Sequence, residues 1–200
     1  MPAPERREII LVGDLSQAAT SPNDWKELAR RMARGSTAVF LSQQAFLREK
    51  NPVGWLPLLK KGRCYEFNDW LYHKECVGKA HPVFEGLQSK GILDWYYYGP
   101  VIPHYIFDGQ ETPPEVIAAA FATGYSTPGG YASGTLLARY GFGEGNFVVN
   151  TFPVLDQLDR HPAADRLLLN LIQFADSFTG KPLGALPQDF ENQLREIGYS

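Results

Sequence analysis

Residues 8–42 contain, in order, Glu8-Ile-Ile-Leu-Val-Gly-Asp-Leu15, Ser21-Pro-Asn-Asp24, and Thr37-Ala-Val-Phe-Leu-Ser42. The first is a short apolar run closed by Gly13-Asp14, the pattern of a buried parallel strand. The second is a helix start, with Ser21 as cap, Pro22 in the first turn and Asp24 as the capping-box acid. Trp25, Leu28, Ala29 and Met32 then follow i, i+3, i+4, i+7 spacing, and Gly35 ends the helix. The third is a second apolar strand. Strand, helix and strand in so short a span predict a βαβ unit with a right-handed crossover, and hence a parallel sheet.

Beyond this unit the middle of the chain is broken by prolines and glycines from Pro52 to Pro103. Only Val101–Phe107 and Val116–Thr123 read there as strands. Residues 126–130 (STPGG) form a turn. Gly134–Tyr140 and Asn146–Thr151 read as two strands joined by the glycine-rich loop Gly141-Phe-Gly-Glu-Gly145. Pro162 opens a strong helix whose apolar face is Leu168, Leu171, Ile172, Ala175 and Phe178. The resulting division is a leader at 1–7, an α/β domain at 8–178, and a connector with a short helix at 179–200.

Composition narrows the function. The 200 residues are 44% apolar and 20% charged, with a formal net charge of -3, so no nucleic-acid or membrane partner is expected. The short basic clusters Arg30, Arg31, Arg34 and Lys60, Lys61, Arg63 read as solvated faces. No run approaches the length of a membrane-spanning helix, and Met1–Arg7 lacks a signal core. A cytoplasmic location is the default expectation, with a periplasmic or secreted one if the chain belongs to a longer protein. Cys64 and Cys76 read as buried free thiols, with a pairing left open.

The segment 64–105 concentrates side-chain chemistry. It holds six of ten tyrosines, two of four tryptophans, three of four histidines and both cysteines. Rings interleaved with acids and imidazoles suit a sugar, which has apolar faces and a polar edge. They equally suit a core that satisfies its own polar tips. The candidate contacts are Asp69, Trp70, His73, Asp94, Trp95, Tyr97 and His104.

Catalytic patterns are sparse. Ser42 ends a strand but lacks the flanking glycines of a nucleophile elbow, so it reads as an end-of-strand hydroxyl. Cys76 has His73 and Lys74 nearby but no elbow, and reads as a packed thiol. His73, Glu75, Cys76 and His81 lack metal-ligand spacing. Gly141–Gly145 is followed by a strand, so it is no phosphate cradle. Asp69, Glu75, Glu85 and Asp94 supply carboxylates from which a glycosidase pair could be drawn. No catalytic residue, metal or cofactor is assigned.

The C-terminal third resembles a known family. Gly141-Phe-Gly-Glu-Gly-Asn-Phe-Val-Val-Asn150-Thr151, Leu155, His161-Pro-Ala-Ala-Asp165 and Leu167-Leu-Leu-Asn-Leu-Ile172 are similar to the end of class I glutamine-amidotransferase-like domains. The likeness is to those associated with bacterial glycoside hydrolases of the family-2-type β-galactosidases. His81-Pro-Val-Phe-Glu-Gly-Leu87 and Trp25–Ser42 match further elements. The resemblance implies a flavodoxin-like three-layer α/β sandwich with a mostly parallel sheet and an antiparallel C-terminal hairpin. It implies no glutamine hydrolysis, because the elbow position is Ser42-Gln43 and His161 is followed by Pro-Ala. It also implies that an opening strand–helix unit is missing before Glu8, which would leave an exposed sheet edge.

The expected function is a non-catalytic accessory domain associated with a glycoside hydrolase, oligomerising or contacting sugar. The alternative is a glycosidase-type hydrolase using paired carboxylates from 64–105. Expected partners are a carbohydrate, a glycosidase catalytic domain or a second copy of the chain.

Overall fold

The 8–42 stretch forms the βαβ unit that its pattern predicts. In the computed structural model, which describes residues 6–14, 21–67, 74–88, 91–123 and 130–199, strand β1 (Ile9–Val12) pairs in parallel with β2 (Thr37–Phe40), Ile9 opposite Thr37. Helix α1 (Pro22–Ala33) connects them. Its capping box is complete: the Ser21 hydroxyl accepts from the Asp24 amide, and the Asp24 carboxylate accepts from the Ser21 amide at 2.9 Å. That backbone bond holds the Asp24 carboxyl below its ordinary pKa. At the other end Gly35, with φ of 118°, closes the helix.

The rest of the sheet departs from the flavodoxin-like expectation. The remaining strands are β3 (Arg63–Glu66), β4 (Glu75–Gly78), β5 (Tyr105–Asp108), β6 (Glu115–Thr123), β7 (Tyr131–Phe142) and β8 (Gly145–Asn150). Only β1–β2 and β2–β8 pair in parallel; the other pairings are antiparallel. The sheet is mixed and strongly curled, a half-barrel rather than a mostly parallel three-layer sandwich. The reason lies between Phe40 and Gly145. A parallel neighbour needs a crossover, usually a helix, and the only α-helix described there is the single turn α2 (Trp95–Tyr98). The chain therefore returns by hairpins.

The curl has a local cause. Residues 137–139 of β7 pair with both β6 and β8, so these two strands lie on opposite edges of β7. Thr135 pairs with Ala119 of β6 and Phe107 of β5, which puts β5 on the β8 edge. At this handover the β6–β7 register shifts twice, between Val116 and Ala118 and between Ala118 and Ala119. Bulges bend and twist a sheet. The alternation along β7 also inverts there, so Leu136 and Leu137 both join one core, while Ala138 and Tyr140 face the other.

Each face of the sheet has its own core. On one side lies α4 (Pro162–Asp176), which buries Ala163, Ala164, Leu167, Leu171 and Ala175, preceded by the short α3 (Val154–Gln157). On the other lie α1 and α5 (Phe190–Glu196) around an aromatic cluster. Trp25 stacks on Trp55 at 5.5 Å and on Phe40 at 5.9 Å, and Tyr199 meets both tryptophans edge-on. The buried Tyr199 hydroxyl donates to the Trp55 carbonyl. Arg48 lies over the Trp55 ring and donates to the Gly198 carbonyl at 2.7 Å.

The basic clusters lie at the surface, with Arg30, Lys60 and Arg63 exposed, and several of their members are bonded. Lys61 is half-buried and donates to Gly54 at 2.6 Å; burial, with Arg48 nearby, lowers its pKa to about 8. Arg63 pairs with Asp108, Arg30 with Glu27, and Arg31 with Glu27 and Glu8. Among the described residues no helix is long and apolar enough to cross a membrane.

The β7–β8 hairpin turns in two residues, Gly143-Glu144, hard against the end of α1. A Cβ on Gly145 would stand 2.2 Å from the Ser36 carbonyl oxygen and 2.3 Å from that of Met32, whereas one on Gly141 would meet nothing within 4 Å. Gly145→Ala should therefore destabilise the fold by about 1–3 kcal/mol through overpacking. Gly141→Ala should stay within about 0.5 kcal/mol of the parent. Urea midpoints of the two variants check the contrast.

Candidate functional site

β4 and the 91–94 segment build the main candidate site. The Gly78 amide donates to the Gly91 carbonyl at 2.9 Å and the Leu93 amide to the Cys76 carbonyl at 2.8 Å, so residues 91–93 run as an added rung beside β4. The chain then turns at Asp94, whose carboxylate accepts from the Tyr97 amide at 3.0 Å and caps α2. An open cavity of about 660 Å³ results. Its floor is Cys76, Leu93 and Ile102, all buried; its rim carries Lys74, Glu75, Asp94, Trp95, Tyr96 and His104.

One helical turn gives the adjacent aromatic residues different environments. Trp95 is 64% exposed and Tyr96 fully exposed. Tyr97 is half-buried and packs edge-on against Tyr98 at 5.0 Å. Tyr98 is wholly buried; its hydroxyl has no hydrogen-bond partner among the described residues, and burial pushes its pKa up to about 12. Of the sequence candidates, the fold brings Asp94, Trp95 and His104 to one cavity, and Tyr97 does not line it. Asp69, Trp70 and His73 lie outside the described residues. Among the carboxylates, Glu75 and Asp94 share the cavity. Glu85 sits against α4, where its carbonyl accepts from Asn170 at 2.8 Å and Arg166 at 3.1 Å.

The thiols are placed for packing. Burial pushes Cys76 up to about 11, with Lys74 opposing and Glu75 adding to the shift, so a thiolate is strongly disfavoured. Burial pushes Cys64 up to about 12. The two belong to different cores and do not pair. Ser42 accepts from the Gln44 amide at 3.1 Å and caps a 3₁₀ turn at Gln43–Phe46. Among the described residues no cluster of three His, Cys, Asp or Glu could hold a metal ion.

Two motifs from the sequence prove to be one structural device. His81-Pro82 starts the 3₁₀ turn Pro82–Phe84, and His161-Pro162 starts α4. In each, the imidazole Nδ1 accepts the backbone N–H two residues on, at 3.2 Å. This is helix capping by an uncharged ring, with its proton on Nε2. His81 Nε2 faces Glu115 at 3.3 Å, and Glu115 also meets Lys79 at 3.3 Å and Arg139 at 3.0 Å. Burial lowers the His81 pKa; Glu115 opposes, Lys79 and Arg139 assist, and the net shift is downward.

A second, smaller crevice lies at the carboxyl ends of β1, β2 and β8. It measures about 180 Å³ and includes Asp14, Ser42, Gln43, Gln44, Thr151 and Asp156, with His104 shared with the larger cavity. The strand ends are held by buried polar groups. Asn150 donates to the Leu41 and Phe152 carbonyls and accepts from the Phe152 amide at 3.0 Å, and Thr151 donates to Leu136. Sequence reading found neither this crevice nor Tyr96. Its signal was the end of two predicted parallel strands, but placing Asp156 beside them requires the β2–β8 pairing.

No family model and no curated protein matches the chain. Among solved structures, the cytoplasmic protein STM3548 from Salmonella typhimurium is similar over 83% of this chain and 70% of that one, at 14% identity and a TM-score of 0.46. That likeness carries no argument about function.

Two outcomes follow from the geometry. In the unfolded chain His81 titrates near its ordinary 6.5, and in the folded chain lower. Its contribution to stability is complete above 6.5 and is lost as pH falls from there toward the lower folded value. His81→Asn keeps a neutral cap, so its urea midpoint should fall less than the parent's between pH 7 and 5, above the range where Glu115 titrates. Ellman's reagent should label neither cysteine in the native protein and both after urea unfolding.

Proposed function

We propose that this chain is a carbohydrate-contacting domain, non-catalytic by itself, of the kind that accompanies a glycoside hydrolase. The observation that carries the reading is the exposure of Trp95 and Tyr96 at the rim of a cavity that also bears Glu75, Asp94 and His104. Large rings left in water beside the exposed Ile92 form an apolar patch of the type that marks a binding surface. A sugar ring has an apolar face for Trp95 and hydroxyls for the carboxylates and imidazole. The two acids outnumber the one cation lining the cavity, Lys74, which disfavours an anionic ligand. The protonated Cys76 and the capping role of Ser42 leave those side chains without a nucleophile's activation.

Glu75 and Asp94 in one cavity favour a second reading, a glycosidase. Against it, the Asp94 carboxylate is engaged as the cap of α2, accepting the Tyr97 amide. Aryl glycosides as substrates, with Glu75→Gln as control, decide this reading: turnover lost in the variant supports the enzyme, and no turnover in the parent rejects it.

For the binding reading, tryptophan emission is followed while neutral cello- and malto-oligosaccharides are added. A saturable change is expected in the parent. In a Trp70→Phe background, Trp95→Phe should lose that change, since Trp25 and Trp55 are buried in the opposite core. Tyr96→Ala should weaken binding by about tenfold. An emission spectrum that no saccharide alters would reject the proposal.

A further inference from the structure

The two cavities meet at one residue. His104 lines both, its imidazole is exposed and makes no hydrogen bond within the described structure, and its carbonyl accepts from the Phe67 amide at 2.7 Å. The main chain at the junction is thus pinned while the ring stays available. We infer that the crevice at the carboxyl ends of β1, β2 and β8 is a second subsite for a neutral, polyhydroxylated unit. It continues the Trp95 cavity across His104, so that the ligand is an oligosaccharide rather than a single sugar. This inference rests on the carbohydrate reading above.

The crevice chemistry selects that class. Ser42 and Thr151 are committed to backbone bonds, and Asp14 is not free. The side chains of Gln43, Gln44 and Asp156 make no hydrogen bond within the described structure. A primary amide offers two donors and two acceptors without charge, which matches hydroxyls that both donate and accept. Among the described residues no lysine or arginine lines the crevice, and two aspartates do, which disfavours a phosphate or carboxylate ligand. With about 180 Å³, the crevice has room for about six waters, the scale of one small polar unit. It lies beyond the carboxyl ends of the three strands that pair in parallel, β1, β2 and β8. The Asn150 bonds fix those ends, so the amides stand on a rigid support.

The larger cavity is of different character. Its floor is apolar and its rim carries rings. A chain of sugars passing from one to the other would stack one unit on Trp95 and present the hydroxyls of the next to Gln43 and Gln44. Affinity should therefore rise with chain length, and the rise should depend on the amides.

The test uses cello- and malto-oligosaccharides of one to five units with the full chain. Tryptophan emission reports the Trp95 cavity, and the side-chain amide resonances of Gln43 and Gln44 in a ¹⁵N–¹H spectrum report the crevice. Expected are a longer-oligomer affinity at least about tenfold above that of the monosaccharide, and shifts of the amide resonances only with the longer members. Gln43→Ala/Gln44→Ala should remove the length dependence and leave monosaccharide binding unchanged; both side chains are partly or fully exposed and unbonded, so folding should be unaffected. If Trp95 responds but affinity is independent of length, or the amide resonances stay still, the second subsite is rejected and the carbohydrate reading stands. If only the amides respond, the joined cleft is rejected. If neither reporter responds to any member, both readings fail.

Discussion

Strand β7 has to satisfy three neighbours at once, and the architecture follows from that demand. Its two edges hold β6 along one side and β8, then β5, along the other. No flat strand can pass regularly from one partner to another while keeping two cores filled. The register shifts opposite Val116, Ala118 and Ala119 solve this by inverting the alternation, so residues on both sides of the break reach the α4-side core. The same bend carries β6 and β4 away from the parallel strands. That divergence leaves room for the 91–98 segment to lie beside β4 and form the larger cavity. Curl, core and cavity are therefore consequences of one break in one ladder.

This explains which parts of the fold were legible in the sequence. α1 could be read because Ser21, Pro22, Asp24 and the Trp25-to-Met32 stripe act within four residues of each other. α4 could be read from Pro162 and its spaced leucines, and the β7–β8 hairpin from its glycines. Strands β3 and β4 could not. Each is four residues long, carries exposed charges such as Arg63 and Glu75, and exists only because a distant strand pairs with it. The mostly parallel sheet was inferred from one correct βαβ unit, and the bulges that overrule it depend on pairing across the chain.

The site was legible in composition and not in geometry. A run of Trp95-Tyr96-Tyr97-Tyr98 gives four rings, but only rotation about α2 decides that two face water and one fills the core. Two of the motifs in the resemblance, His81-Pro82 and His161-Pro162, have a physical basis of their own. A proline fixes the first helical φ, and the preceding imidazole supplies the cap, so unrelated helices that begin this way read alike. Such a motif records how a helix starts and says little about what the protein binds.

The central parallel pairing also sets how the chain must find its fold. Thr37 lies beside Asn146, 109 positions further along, whereas β1 and β2 meet across a single short helix. Closing the larger loop costs backbone entropy before any of its contacts form. The βαβ unit and the β6–β7–β8 meander are each local and could form independently, but neither buries its apolar faces alone. Their meeting at β2 and β8 is thus the step that commits the molecule. Until then Val39, on the face turned away from α1, stays uncovered. A sheet joined at its middle by its most distant residues folds with high contact order, and its slowest event lies beneath the crevice formed by those strand ends.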